Sequence, residues 1–147
     1  MKIPFSDLQK ALELHLEFLT GGENGIKADL EAADLYGACL PSANLSKANL
    51  KCSNLKRAVL MAANLEGAIL DGASLKHAIL QEANLRNASL VGASLIGVNL
   101  EGTDLRGANL EGANLESAIF QGAVYDDATR WPVDFNPRDL GAIITNE

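Results

Sequence analysis

The stretch ANLEGANLESAIF, residues 108 to 120, repeats itself every five residues and decides the fold of this chain. Read in fives it is ANLEG, ANLES and AIF, with an apolar residue at every fifth position. Side chains share a face every two residues in a strand and about every 3.6 residues in a helix. A period of five therefore fits neither a flat strand nor an α-helix.

The same period runs without insertion or deletion through residues 28–127, which form twenty consecutive units. Leucine is the central residue from Leu30 to Leu115, and Phe120 and Tyr125 continue the series. Alanine nearly always stands two positions before the centre, and Asn or Asp often stands between them, so the consensus is A-(N/D)-L-x-x. A fixed period of this kind is the signature of a repeat architecture, in which stacked units bury a continuous core.

One geometry satisfies this spacing: each unit is a short extended side followed by a corner. The central residue and the Ala two positions before it then point inward, and successive coils stack about 4.8 Å apart. Gly often stands two positions after the centre, as at Gly67 and Gly72, where a corner would need a positive φ. The central residues are therefore the predicted core, among them Leu30, Leu50, Leu75, Leu95, Leu115, Phe120 and Tyr125.

With these repeats the chain resembles the pentapeptide-repeat family, over residues 28–127 and in the A-(N/D)-L-x-x form of its cyanobacterial members. The resemblance implies an all-β solenoid, a right-handed parallel quadrilateral β-helix with four units in each coil. It further implies about five coils, and a rod roughly 24 Å long at a coil spacing of about 4.8 Å. Residues 1–27 are then an N-terminal α-helical cap and turn, and residues 128–147 are a short C-terminal cap or tail.

The N-terminal segment suits a cap, which a solenoid needs because its open ends expose apolar core and unpaired strand edges. Residues 6–20 predict an amphipathic helix, and Ser6 with Gln9 matches a capping box. Its apolar face contains Leu8, Leu12, His15 and Leu19. The polar face carries Glu13 and Glu17, which disfavours binding to anionic lipid.

The C-terminal segment brings in large rings for the first time. Asn136 followed by Pro137 predicts the start of a short helix. The tail resembles the ends of cyanobacterial pentapeptide-repeat proteins, and it either closes the core or forms a dimer contact. The rings available for either role are Phe120, Tyr125, Trp131 and Phe135.

Two outward-facing columns emerge if each coil contains twenty residues. Cys39, Val59, Ile79 and Ile119 form an apolar column that only Asn99 interrupts. An apolar patch of a few hundred Å² commonly marks an interaction site, so this column is the candidate docking surface. Two alternatives remain open: the chain's own ends cover the column, or β-branched residues simply favour stacked strands there. The second column predicts a stacked amide ladder of Asn44, Asn64, Asn84 and Asp104.

The sequence offers no catalytic constellation. His15 lies on the predicted cap helix and His77 at an outer corner, and no Ser/His/Asp set, metal-ligand spacing or phosphate loop accompanies them. Cys39 and Cys52 fall on different outer faces and are expected to be free thiols. We therefore expect no enzyme activity, no cofactor and no metal.

Composition narrows the location and the partners. A net charge of −7 argues against direct binding of nucleic acid, since such proteins are usually basic. Since the sequence has no apolar run of about eighteen residues, it predicts no membrane span. The N-terminus lacks the pattern of a signal peptide, so a cytoplasmic location is expected.

Two binding functions remain open. The first is a non-enzymatic rigid scaffold that docks an unidentified protein partner, the chain being a monomer or a weak dimer through its C-terminal end. The second follows from the resemblance: some members of the family are acidic rods that mimic DNA, bind the type II topoisomerase gyrase and protect it from inhibitors. The acidic balance suits this second function, but a basic cluster weighs against it, formed by Lys47, Lys51, Lys56, Arg57 and Lys76.

Overall fold

The computed structural model describes residues 2–146, and a parallel ladder winds through the whole repeat. Backbone bridges join residues twenty positions apart, from the pair Asp29 and Asn49 to the pair Asp104 and Val124. Since each unit has five residues, one coil of twenty residues has four sides. The repeat is therefore a four-sided parallel solenoid.

Each side is held to the next coil by a recurring set of backbone hydrogen bonds. The Leu30 N–H donates to the Asn49 carbonyl at 2.7 Å, and the Asn49 N–H donates to the Ala28 carbonyl at 2.9 Å. At the following corner the Ala32 N–H donates to the Lys51 carbonyl at 2.8 Å. This pattern gives the backbone groups of the inner coils the partners that a buried chain requires.

The interior of the solenoid is filled by stacked leucine and alanine side chains. The central residues named above are all buried, and Leu50, Leu75 and Leu95 have no exposed surface. Thr103 replaces an inward Ala, and its Oγ1 donates to the Leu80 carbonyl at 2.7 Å. A buried hydroxyl is tolerated there because it has a hydrogen-bond partner.

From residue 32 to residue 122, the corner residue two positions after each centre has a positive φ whether or not it is glycine. Gly67 and Gly72 have φ of 65° and 64°, which confirms the conformation predicted for these corners. Non-glycine residues share it at ten corners, where an L side chain crowds the following carbonyl. Those residues are Ala32, Ser42, Lys47, Cys52, Arg57, Ala62, His77, Glu82, Asn87 and Ser117.

Helix α1, Phe5–Leu19, packs against the first coil and buries Leu8 and His15. The prediction of a capping box at Ser6 is wrong, because the helix begins one residue before Ser6 and its N-cap is Pro4. Ser6 therefore lies inside the first turn, and no side chain caps the helix. Before the helix, Lys2 forms a parallel bridge with Asp34 and adds a short edge to the ladder.

The C-terminal tail extends the ladder after two changes of register. Arg130 pairs with Asn109, twenty-one positions earlier, so one residue has been added to the coil. Strand β1, Val124–Tyr125, then pairs in parallel with strand β2, Ile143–Ile144, with a separation of nineteen. Between them lies a 3₁₀ helix, Pro137–Leu140, whose N-cap Asn136 accepts a hydrogen bond from the Arg138 N–H at 3.2 Å, as predicted.

Four aromatic rings gather beneath the last coil. Phe120 is buried, with ring centroids 5.7 Å from Trp131 and 5.5 Å from Phe135. Tyr125 meets Trp131 edge to face at 5.4 Å. These large apolar groups therefore lie where the leucine column ends. Their edge-to-face contacts are of the kind that aromatic rings prefer.

Candidate protein-docking face

The predicted apolar column lies on one side of the solenoid. Consecutive parallel bridges join Cys39 to Val59, Val59 to Ile79, Ile79 to Asn99 and Asn99 to Ile119. We call the side that carries these five residues the docking face. Its residues stand one above the other because the coil length equals a whole number of repeat units.

The docking face is open to solvent at both ends of the column. Cys39 is exposed, Ile119 is 49% exposed, and Val59 and Ile79 between them are half-buried. Strand β2 stacks under Val124, which belongs to the next side of the solenoid. Strand β2 therefore lies beside the column and not over it.

Charged corners of opposite sign border the docking face. The corner that precedes it along the chain, called here the basic corner, carries Lys56, Arg57, Lys76 and His77, with Glu116 as its one acidic residue, near the C-terminal end. The corner that follows it, called here the acidic corner, carries Glu82 and Glu101. Glu101 accepts a hydrogen bond through Oε2 from the Gln81 Nε2 at 2.9 Å. The apolar column thus runs between a mainly basic corner and an acidic corner.

A surface cavity of about 460 Å³ adjoins the upper end of the docking face. Phe5, Leu8 and Cys39 are among the residues that line it, and the Phe5 ring is 70% exposed. Phe5 stands before the helix predicted from the sequence, so no sequence pattern marks it as a surface residue of interest. Its place beside Cys39 depends on the path of residues 2–5 along the first coil, which no periodic pattern encodes.

The amide ladder on the neighbouring side forms in part. Asn84 Nδ2 donates to Asn64 Oδ1 at 3.3 Å, which is one rung of the predicted stack. Elsewhere in this column the side-chain oxygen accepts from the backbone N–H two residues ahead, as from Ser46 to Asn44 and from Arg106 to Asp104. Asn and Asp therefore act chiefly as local turn formers at these positions.

Helix α1 carries the one buried imidazole. The Ala28 N–H donates to His15 Nδ1 at 3.0 Å. Within residues 2–146, Nε2 has no hydrogen-bond partner of ordinary geometry. The Ser46 carbonyl lies nearby and acts to raise the pKa of His15. Burial lowers the pKa of His15, and Lys27 lowers it further. The imidazole is therefore a neutral structural group, and its partners show no catalytic arrangement.

A compact ion pair lies on the side next to the docking face. Arg106 donates to Asp104 through Nε at 2.9 Å and through Nη2 at 2.6 Å, and Arg86 lies 3.9 Å from the same carboxylate. Burial alone would raise the pKa of Asp104, but the hydrogen bonds and charge of Arg106 outweigh it and lower the pKa. This fork of two bonds is typical of a structural arginine–carboxylate pair.

The remaining predicted groups are dispersed over the surface. Cys39 and Cys52 are free and exposed. The basic cluster of the sequence is divided, since Lys47 and Lys51 stand at corners away from the basic corner. In the part of the chain that the structure describes, no group of His, Cys, Asp and Glu is placed to hold a metal ion. No helix within residues 2–146 has the length and apolarity needed to traverse a bilayer.

The geometry defines a class of protein, the solenoids built from five-residue units. The model of the pentapeptide repeats matches this chain in eight copies, over residues 28–67, 58–95, 68–107 and 93–124. The chain belongs to the pentapeptide-repeat family. Membership implies that its four-sided coil is a right-handed quadrilateral β-helix, which confirms the predicted fold class at that level.

Several solved structures are similar to this chain. Rfr23, a pentapeptide repeat protein from the cyanobacterium Cyanothece 51142, is 30% identical, and the match covers 70% of this chain and 90% of that one, with a TM-score of 0.41. A pentapeptide repeat protein from the thylakoid lumen of Arabidopsis thaliana is 32% identical over 68% of this chain and 66% of its own, with a TM-score of 0.39. QnrB1, a plasmid-mediated fluoroquinolone resistance protein, is 18% identical over 80% of each chain, with a TM-score of 0.33. No curated protein matched this chain significantly.

Proposed function

We propose that the protein is a non-enzymatic rigid scaffold of the cytoplasm that docks a protein partner on its docking face. In this proposal residues 28–127 form about five coils at about 4.8 Å per coil. Residues 1–27 and 128–147 close the two ends as caps. The chain acts by presenting a fixed surface, without a cofactor or a metal.

The supporting observation is the apolar column of Cys39, Val59, Ile79 and Ile119, which is exposed at its two ends and half-buried between them. Outward positions on this solenoid are mainly polar, so apolar side chains stacked on one side enlarge the hydrophobic area in contact with water. A contiguous patch of this kind commonly marks a surface that another molecule covers. The charged corners on either side provide the polar rim that surrounds the apolar centre of a typical interface.

The proposal is tested by placing charge in the middle of the column. The double variant Val59→Lys with Ile79→Lys is expected to lose a partner captured from the native host while its melting temperature stays unchanged. The control is Asn49→Lys with Ile69→Lys, which alters the same two coils on the opposite side and should keep the partner. Full retention of partners by the first variant would contradict the proposal, and a large drop in its melting temperature would show a structural role.

A second candidate function is that of a DNA-mimicking inhibitor or protector of gyrase. The net charge of −7 on a rod-shaped chain is the observation that favours it, because an acidic rod can complement a basic groove that binds DNA. The basic corner weighs against it, since a mimic of the DNA backbone needs negative charge along most of its length.

The predicted weak dimer through the C-terminal end also has one supporting observation. Val133 is 91% exposed, and Leu140 and Ile143 on the same tail are also exposed. These side chains could meet those of a second copy end to end. That arrangement would leave the two docking faces free and far apart, which makes it separable by experiment from association through those faces.

A further inference from the structure

We infer that the occupant of the docking face is a second copy of this chain, with the two rods side by side and parallel. The two-fold axis runs parallel to the rods, between the two docking faces. This inference rests on the proposed function, because it names the partner of the same surface. The side-by-side pairing buries the docking face, whereas the end-to-end contact buries the C-terminal end of the solenoid.

The symmetry sets each column residue against its own counterpart. A two-fold interface is isologous, so a residue near the axis meets the same residue of the other copy. With the rods parallel, Val59 faces Val59, Ile79 faces Ile79 and Ile119 faces Ile119. The apolar column therefore buries itself, and no separate complementary surface is needed.

The same rotation brings corners of opposite charge together. It places the basic corner of one copy beside the acidic corner of the other, at the same height along the rod. Lys76 then lies opposite Glu82, since both belong to one coil, and Arg57 lies one coil from Glu82, about 4.8 Å along the axis. Because the axis is two-fold, each such contact occurs twice.

An antiparallel pairing of the same faces is disfavoured by charge. Turning one rod end over end sets the basic corner against the basic corner, and with the columns in full overlap Lys76 faces Lys76 while Glu82 faces Glu82. Like charges placed together across an interface cost free energy and suppress that arrangement. The distribution of charge on the two corners thus selects the parallel pairing.

The cations at the basic corner are available for such contacts. Among the described residues, the ion pairs involve Arg86, Arg106 and Arg130, and none includes Lys56, Arg57 or Lys76. Lys56 and Arg57 are exposed, and Lys76 is half-buried. On the other corner Glu82 and Glu101 are exposed. Charges of both signs therefore stand unpaired along the borders of the docking face.

Asn99 supports the same register. In the parallel pairing its amide faces the amide of the other copy, where the two side chains can hydrogen-bond. In the antiparallel pairing with full overlap, Asn99 faces Val59, which offers no polar partner. A single polar residue in an apolar seam fixes register and orientation in this way in coiled coils, at some loss of stability.

The size of the face predicts a weak association. A side of about three extended residues and a rod of roughly 24 Å give on the order of 250 Å² of sheet surface per copy, before the corner side chains are added. The total lies below about 1,200 Å², in the range of transient complexes. The dimer should therefore form at high protein concentration and dissociate on dilution.

Thiol cross-linking tests the pairing directly, because both cysteines are exposed and only Cys39 lies on the docking face. Facing sheets pack about 10 Å apart, too far for most disulfides but within reach of a short bismaleimide. The Cys52→Ser variant is expected to cross-link into a covalent dimer through Cys39, with a yield that rises with concentration. The Cys39→Ser variant, which keeps Cys52 at a corner on the far side, should not cross-link.

Charge reversal supplies a second, independent readout. Lys76→Glu and Glu82→Lys are each expected to reduce the cross-linking yield several-fold, and the double variant should recover it because the pair is restored with its signs exchanged. Ile79→Lys should abolish the dimer by placing two ammonium groups on the axis. Circular dichroism melts check that these surface variants remain folded.

The outcomes separate this inference from the alternatives. Failure of the double variant to recover the yield, or equal cross-linking through Cys52, would overturn the parallel dimer. Loss of the dimer in Val133→Lys but not in Ile79→Lys would assign self-association to the C-terminal end instead. A protein that never dimerises, yet loses a host partner in the Val59→Lys and Ile79→Lys variant, would overturn this inference and leave the proposed function standing.

Discussion

His15 Nδ1 accepts a hydrogen bond from the backbone N–H of Ala28 at 3.0 Å. Ala28 is the first inward alanine of the repeat, so this bond joins helix α1 directly to the first coil. His15 has no exposed surface, and the bond requires an unprotonated Nδ1. The attachment of the helix therefore depends on a neutral imidazole.

Stability is expected to fall as the pH decreases through the ordinary titration range of histidine. Burial lowers the pKa of His15 in the folded chain below the value of 6.5 that applies when it is unfolded. Between these two pKa values the unfolded chain binds a proton that the folded chain does not, so acid favours unfolding. Thermal melts from about pH 7.5 to about pH 5.5 measure this dependence.

The variant His15→Gln is the control for this titration. Its amide oxygen can accept from the Ala28 N–H and does not titrate, so its melting temperature should change less over the same range. Asp104 and Asp126 contribute little there, because hydrogen bonds lower their pKa values below the ordinary 3.8, well below the pH range of the melts. Equal slopes for wild type and His15→Gln would contradict the role assigned to His15.

The sequence predicted the repeat well because its physical requirement is local and recurrent. Every unit must bury its own centre, so the inward residues and the positions of Gly67 and Gly72 follow from the period alone. The stacking of Val59 on Ile79 also follows, once the coil contains twenty residues. A pattern that repeats twenty times states the same constraint in every unit.

The ends could not be predicted to the same detail, because each is a single event. The added residue before Arg130 and the pairing of Val124 with Ile143 depend on how one tail fits one surface. Ser6 and Gln9 matched a local capping signal, but the chain starts its helix at Phe5, directly after Pro4. The exposure of the docking face was likewise undetermined, since it depends on where both ends of the chain lie.

Replacement of Leu75 by Asp is expected to unfold the solenoid. Leu75 is completely buried in the middle of the leucine column, and a carboxylate there would have no partner. Burial of an unpaired charge costs several kcal/mol, a large part of the stability of a small domain. Val91→Asp at a corner is the control and should melt near wild type, because Val91 is exposed. A folded Leu75→Asp protein with an unchanged melting temperature would contradict the inward placement.

The strained corners predict that Ala62→Gly stabilises the protein. Ala62 has a φ of 56°, a conformation that costs an L residue about 1–2 kcal/mol, whereas glycine adopts it freely. Part of that gain is offset by the greater freedom of glycine in the unfolded chain, so we expect a net gain of up to about 1 kcal/mol. Chemical denaturation measures the change.

Gly92→Ala is the matched reverse substitution for the corner prediction. Gly92 has a φ of 65°, and an added Cβ would meet nothing within 4 Å, so the variant isolates the conformational cost. It should lower the free energy of unfolding by about 1 kcal/mol. If Ala62→Gly is destabilising while Gly92→Ala is neutral, the corners are not strained in the manner described.

Removal of the Phe120 ring is expected to weaken the C-terminal end of the solenoid. Phe120 is buried at the C-terminal end of the core and touches both Trp131 and Phe135. Phe120→Ala should cost about 3–5 kcal/mol, since it leaves a cavity in packed surroundings. Val133→Ala, at an exposed site on the same tail, should change stability little. Equal denaturation midpoints for the two variants would show that the aromatic cluster does not support the fold.

The charge pattern predicts that the wild-type protein does not inhibit gyrase at low concentration. Lys56, Arg57 and Lys76 share one corner, so the rod presents a positive edge where a DNA mimic needs negative charge. A DNA supercoiling assay with purified gyrase measures this directly.

Reversal of all three residues to Glu changes the net charge from −7 to −13, because each reversal removes one positive charge and adds one negative charge. If only the basic corner prevents mimicry of DNA, this triple variant should inhibit gyrase in a salt-sensitive way. Inhibition of gyrase by the wild-type protein would instead favour the DNA-mimic function over the scaffold.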